Sequence, residues 1–177
     1  MTNVTSLAFR FGLILGGVSI VWALILYLMD MHDSLDRSLQ IVGAIISIVV
    51  IVFGLLEFRK RNGFLTLPQS IKMAIIISLI STIIFIIYYF ILTEYMDPGM
   101  VERQIDEMMD QFRAKNPEVS DEMIVGYRKG QEMSRKPLLF VGAALIFSVL
   151  SGLIFGLIAG LILKRKKEEN LDDLIEE

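Results

Sequence analysis

Four long apolar blocks, none with a charged residue at its centre, dominate this 177-residue sequence. They lie at residues 7–29, 39–56, 71–92 and 138–163. An α-helix rises 1.5 Å per residue, so blocks of 18 to 26 residues reach about 27–39 Å, close to the thickness of a bilayer's hydrocarbon core. The pattern predicts an all-α, four-transmembrane-helix bundle that forms a single membrane domain.

Composition supports this class and excludes several others. Hydrophobic residues make up 54% of the chain, more than a soluble domain carries. A net charge of −3 argues against a nucleic-acid partner, and the absence of cysteine excludes disulfides and thiolate metal sites. The first block is longer than the apolar region of a signal peptide and no small-residue cleavage site follows it. We therefore expect an uncleaved first span.

Basic residues beside the blocks indicate the orientation of the chain. A cluster at 59–61 directly follows the second block, and the charged tail 164–177 begins with four consecutive Lys or Arg residues. Short Lys- and Arg-rich segments stay in the cytoplasm, and four spans place both termini on one side. We therefore expect cytoplasmic termini in a bacterial inner membrane. Arg135 and Lys136, beside the fourth block, favour the opposite orientation.

The segment between the third and fourth blocks, 93–137, is a 45-residue polar insert. Asp97 is a suitable N-cap for a helix that starts at the following proline. Turn residues then divide the insert into two amphipathic helices, predicted at about 98–115 and 121–135. They are expected in the periplasm, as a helical hairpin or on the membrane surface.

The first insert helix carries one apolar stripe, which we interpret as a candidate partner surface. Its members recur at i, i+4, i+7 and i+11, the spacing of one helix face: Val101, Ile105, Met108 and Phe112. A helix cannot bury such a stripe by itself. The stripe must rest on the second insert helix, on the membrane surface or on another protein.

A stripe of small residues gives the fourth block its strongest pattern. It recurs every four residues: Ala144, Ser148, Gly152, Gly156 and Gly160. Small residues allow two helix backbones to approach closely inside a membrane. The stripe fits a dimerisation face, a sliding surface in a transporter, or packing against another span of the same chain. Gly12 and Gly16 in the first block are its expected counterpart.

Chemistry-bearing residues are sparse. Charged residues in or beside the blocks lie only near span ends, at Arg10, Glu57, Lys72 and Glu94, which argues against a proton- or sodium-coupled transporter. No hydrolase, metalloprotease or phosphate-loop motif is present, so we expect no enzyme, no cofactor and no catalytic residue. Met29, Met31 and His32 could suit copper(I), but packing is the better interpretation and no metal site is predicted. Four tyrosines fit an aromatic belt at the outer interface: Tyr27, Tyr88, Tyr89 and Tyr95.

The order of these features resembles the domain-of-unknown-function 4199 family, four-span membrane proteins of Gram-negative bacteria. The resemblance rests on the glycine-containing opening of the first span at 10–16, on Phe58-Arg59, on the run 65–72 before the third span, and on the acidic insert followed by a glycine-rich span that ends in lysines. It implies an inner-membrane location and transfers no functional residue.

The leading functional hypothesis is a non-enzymatic interaction or assembly protein of the inner membrane. Its expected partners are the lipid bilayer and either an unidentified membrane or periplasmic protein or a second copy bound through the fourth span. The alternative is a small channel or transporter subunit that acts as an oligomer.

Overall fold

The computed structural model describes residues 3–32, 34 and 36–164, so most of the predicted tail 164–177 lies outside the described residues. The secondary structure of the described part is helical, without strands, which confirms the all-α prediction. Six helices follow in order: α1 Val4–Leu28, α2 Arg37–Asn62, α3 Leu67–Ile91, α4 Met100–Lys115, α5 Asp121–Ser134 and α6 Pro137–Leu163. A π-helical turn, Leu92–Met96, continues α3.

Four helices are long and apolar enough to cross a membrane. They are α1, α2, α3 with its π-helical turn, and α6, with 25, 26, 30 and 27 residues. Each corresponds to one of the predicted apolar blocks, and α1 ends at Leu28, one residue before the predicted end of its block. Helix α2 runs past the predicted end of its block at residue 56, because Glu57 and Arg61 pair one helical turn apart at 2.6 Å and basic side chains suit a helix C-terminus.

Local signals in the α2–α3 turn fix the direction of the chain there. Gly63 ends α2 in the left-handed conformation, with φ 78°, which a glycine adopts without strain. Thr66 and Gln69 then form a capping box at the start of α3, with Pro68 in its first turn. Because this connection is short, α3 runs back in the direction opposite to α2.

Helix α3 is the centre of the bundle. Of the residues in its most apolar stretch 33% are buried inside the molecule, against 11–17% for the other three long helices. Its most extensive contacts are with α6 on one side and with α1 on the other. The remaining helix faces are apolar and exposed, a surface suited to the hydrocarbon of a bilayer.

The small-residue stripe of α6 lies directly on the backbone of α3. A Cβ atom added at Gly152 would lie 2.8 Å from the Cα of Ile75, and one added at Gly156 would lie 2.7 Å from the Cα of Ile71. The hydroxyl of Ser70 donates a buried hydrogen bond of 2.7 Å to the carbonyl oxygen of Gly156. The glycines therefore serve packing within the chain, one of the alternatives that the sequence left open.

The predicted pairing of Gly12 and Gly16 with the fourth span is wrong. Both glycines lie against α3, where added Cβ atoms would come within 2.7 Å of Ile80 and 2.6 Å of Ile84. The two isoleucines are four residues apart on α3, as the two glycines are on α1, so each isoleucine fits the space above one glycine. Helix α3 thus separates the two glycine-bearing helices.

Packing is concentrated at one end of the bundle, which we call the closed end. All buried residues of α1 lie between Leu7 and Gly16, and all those of α2 lie between Ile51 and Phe58. They join one core cluster with Met73, Ala74 and Ile77 of α3. Toward the other end, which we call the open end, α1 and α2 bury no residue completely, and the helices leave space between them.

The contact between α6 and α3 predicts a selective effect of Gly156→Leu. The leucine side chain would enter a backbone contact, so we expect a loss of at least about 1–3 kcal/mol of stability from overpacking. Thermal unfolding in detergent measures this. The matched control is Gly142→Leu, because no heavy atom lies within 4 Å of a Cβ added at Gly142. Equal unfolding temperatures for the two variants would contradict the packing role.

Candidate functional site

The insert covers the open end of the bundle. Met100, the first residue of α4, is 3% exposed and packs with Tyr88, Tyr89 and Leu92 at the end of α3. The ring of Tyr89 also stacks on Phe140 of α6 at 4.3 Å between centroids. Tyr88 and Tyr89, which the sequence predicts in an aromatic belt, are therefore buried and form the surface on which the start of the insert packs.

A polar cluster ties the α1–α2 connection to the start of the insert. His32 Nε2 lies 2.7 Å from Asp97 Oδ2, and Arg103 binds both oxygens of the same carboxylate. The hydrogen bonds from Arg103 and then from His32 lower the pKa of Asp97 from 3.8 to about 2. Next to this cluster, the Tyr27 hydroxyl donates to the Met96 carbonyl oxygen at 3.4 Å.

This cluster corrects the predicted start of the first insert helix. Asp97 is not the N-cap: the helix is capped at Gly99 and begins at Met100, two residues later than predicted. The physical reason is tertiary, because the Asp97 carboxylate is engaged by His32 and Arg103 and does not cap the backbone N–H groups of α4.

The predicted partner stripe is partly covered within the chain. Ile105 is buried, Val101 and Met108 are half-buried, and Phe112 stacks on Tyr127 of α5 at 4.4 Å. An ion pair of 2.9 Å between Arg128 and Asp106 also joins α4 to α5. The insert is therefore a helical hairpin. The buried residues of α4 are Met100, Ile105 and Met109, so its most deeply buried face is rotated from the predicted stripe.

Helix α5 differs from α4 because none of its residues is buried. Three apolar side chains on it are more than half exposed: Met123, Val125 and Met133. The exposed apolar surface of the insert is therefore on its second helix, whereas the sequence predicts the candidate surface on the first.

A cavity of about 410 Å³ lies at the open end, between α1, α2 and α3 and beneath the insert. Its walls come from the outer halves of the three helices, and its roof comes from α4 and the α5–α6 turn. Representative lining residues are Ser19, Trp22, Gln40, Gly43, Phe85, Tyr88, Gln104 and Arg135.

Two buried polar atoms in residues that line this cavity lack a hydrogen-bond partner in the described part of the chain. They are the hydroxyl of Tyr88, a residue 7% exposed, and Nδ1 of His32, whose side chain is 6% exposed. Leaving such a group unpaired costs about 1–3 kcal/mol, and both atoms are themselves buried and not exposed to the cavity.

Arg135 adds a positive charge to the roof. Its Nη1 donates to the Tyr89 hydroxyl at 3.4 Å, and no carboxylate of residues 3–32, 34 and 36–164 forms an ion pair with it. Sequence reasoning treated Arg135 only as a topology signal. Arg135 lines the same cavity as His32 and Tyr88 because the insert folds over the bundle, and no local sequence pattern predicts this.

The described residues contain no group of three or more His, Asp or Glu side chains that could hold a metal ion. His32 is engaged with Asp97 and with the Tyr27 ring, at 4.9 Å between ring centroids. The arrangement thus offers an occupant of the cavity the Arg135 guanidinium and the Gln104 amide. It is suited to binding.

The Asp97 cluster predicts a pH-dependent effect of Asp97→Asn on stability. A lowered pKa means that the carboxylate contributes fully above its ordinary value of 3.8 and loses its contribution as the pH falls towards about 2. At pH 7 we expect the variant to lose about 1–3 kcal/mol, and the difference from wild type to vanish in strong acid.

Thermal unfolding across this pH range measures the effect. Glu102→Gln, which changes an exposed acid on α4, is the control and should unfold like wild type. Identical unfolding of the Asp97 variant and wild type at pH 7 would show that the cluster does not hold the insert.

Comparison with known proteins gives one match. A family model described as a protein of unknown function, DUF4199, matches residues 10–165. No curated protein and no solved structure matches the chain. The matched region covers the insert and the four long helices except the first six residues of α1, as the resemblance of the sequence predicted. The chain belongs to the DUF4199 family.

Proposed function

We propose that this protein is a non-enzymatic interaction protein of the bacterial inner membrane, with cytoplasmic termini and a periplasmic insert that binds a partner protein through α5. The observation that carries the proposal is the asymmetry of the insert. Helix α4 is anchored to the bundle through Met100, while α5 buries no residue and exposes apolar side chains. A rigid base with an exposed apolar face is a suitable binding platform.

The distribution of basic residues supports the orientation. Arg59, Lys60 and Arg61 form the last turn of α2 at the closed end. Arg59 Nη1 donates to the carbonyl oxygen of Leu163 at 3.3 Å, so the end of α6 and the following Lys164 lie at the same end. Basic residues clustered beside spans are retained in the cytoplasm.

Cysteine labelling tests the orientation, and the chain has no native cysteine to interfere. A membrane-impermeant maleimide added to intact cells with a permeabilised outer membrane should modify Asn116→Cys and leave Asn62→Cys unmodified. Lysis of the cells should expose both positions, which controls for reactivity. Modification of the residue 62 variant alone in intact cells would invert the topology.

A double variant of α5 tests the partner surface. Met123→Gln with Met133→Gln removes two exposed apolar side chains without opening a core, so the fold should remain intact while the partner is lost. Quantitative pull-down in mild detergent, with mass spectrometry, measures the recovery of a stoichiometric partner. Met29→Gln, the same change at an exposed position on the α1–α2 connection, is the control.

Recovery of that partner by both variants at the wild-type level would remove the support for α5 as its binding surface. A stoichiometric partner lost only with the α5 variant is the expected result.

The alternative function is a channel or transporter subunit, and the cavity is the observation that favours it. A path through one copy would have to continue from the cavity through the closed end, where Ile51, Leu55 and Phe58 are at most 2% exposed. Conduction would therefore need either a path between copies or a rearrangement of this core. A stable oligomer with a water-filled centre would support that function over the first.

A further inference from the structure

We propose that the cavity at the open end binds an anionic amphiphile with a single apolar chain, such as a fatty carboxylate or an alkyl phosphate. The chain would lie between α1, α2 and α3, and the anionic head would lie beneath the insert at Arg135. This inference concerns a different surface from α5 and does not depend on a protein partner there.

The depth of the cavity suits an extended chain. It reaches Ser19, nine residues before the end of α1 at Leu28, and Ile46, nine residues after the start of α2 at Arg37. At 1.5 Å per residue this is about 13 Å along the helix axes. The cavity therefore follows the direction that a lipid chain takes in a bilayer.

The size and walls of the cavity select one chain. Its volume of about 410 Å³ is near the small end of the roughly 300–1,000 Å³ range of ligand sites, too small for a two-chain lipid. With the Ser19 hydroxyl at the deep end, most of the wall between the helices is apolar: Trp22, Ala23, Leu26, Ile46, Phe85 and Leu92. Removing an apolar chain from water into such a space contributes about 25 cal/mol per Å² of buried area.

Two polar side chains of the roof lie at the other end of the cavity, where a head group would lie. Arg135 brings a guanidinium without a carboxylate partner among the described residues, and Gln104 brings an amide. An anionic oxygen accepts short, strong hydrogen bonds from groups such as guanidinium and hydroxyl.

The charge balance around the head position also favours an anion. The carboxylate of Asp97 is already bound by Arg103 and by His32, a lining residue, and forms no ion pair with Arg135. A neutral occupant would leave the half-buried Arg135 guanidinium without a counter-charge, whereas an anion would pair with it.

Trp22 provides a direct reporter, because it is the only tryptophan in the chain and it lines the cavity. The full-length protein is reconstituted in phosphatidylcholine nanodiscs and titrated with a saturated carboxylate of about ten carbons that carries a terminal bromine, since bromine quenches tryptophan fluorescence on contact and a chain of this length matches the depth of the cavity. The neutral alcohol with the same brominated chain is the second probe. Inorganic phosphate is added as a competitor to test for a free-anion site.

Two matched glycine variants separate binding in the cavity from partitioning into the bilayer. A Cβ at Gly43, which lines the cavity, or at Gly17, which does not, meets no heavy atom within 4 Å. Gly43→Phe therefore introduces an aromatic side chain at the cavity wall with open space around its Cβ, and Gly17→Phe places the same side chain on an exposed face of α1. A third variant, Arg135→Gln, removes the head-group charge.

We expect saturable quenching by the carboxylate at one molecule per chain, abolished by Gly43→Phe and unchanged by Gly17→Phe. Arg135→Gln should raise the half-saturating concentration at least about tenfold, as expected for a lost charged hydrogen bond, and should leave the weak response to the alcohol unchanged.

Non-saturating quenching of equal slope in all variants would show that the probe only partitions into lipid, and it would overturn the proposal. Saturation with the same midpoint in wild type and Arg135→Gln would overturn the anionic head. Displacement of the bound probe by inorganic phosphate alone would assign the site to a free anion and would also contradict the proposal.

Discussion

The close approach of two glycine-bearing helices to α3 is the constraint on which the rest of the structure depends. Helices in a membrane gain no hydrophobic energy by associating, so they rely on dispersion contacts between close backbones. Gly152 and Gly156 bring α6 onto the α3 backbone, and Gly12 and Gly16 receive two α3 isoleucines. Helix α3 is consequently the element through which α1 and α6 are held together.

The position of these contacts explains the shape of the site. The glycines of α1 lie in its first half, so α1 and α3 are closest near the closed end. Beyond Gly16 the outer half of α1 carries larger residues, including Trp22, and the space between α1, α2 and α3 becomes a cavity. The insert then covers this space through Met100 and through the Asp97 cluster.

Local chemistry made much of the fold predictable. The four long helices follow from apolar length, and the insert helices follow from capping residues and apolar spacing, with Ser120 accepting a hydrogen bond from the backbone of Met123. Tertiary choices were not predictable. A glycine stripe indicates that a backbone comes close and leaves open which backbone, and Asp97 could equally cap a helix or bind His32 and Arg103. The cavity depends on residues up to 121 positions apart, Ser19 and Phe140, which no local pattern connects.

The bundle is packed at one end and has a cavity beneath the insert at the other, and we expect water to reach that cavity. The rate at which a small water-soluble thiosulfonate modifies single cysteines in phosphatidylcholine vesicles tests this most directly. All three cysteines are placed in α2. Gly43→Cys, which lines the cavity, should react. Gly54→Cys, which is buried against Phe11 of α1, and Ile45→Cys, which is on the exposed apolar face, should not react. Failure of Gly43→Cys to react, or equal reaction at Gly54→Cys, would contradict the claim.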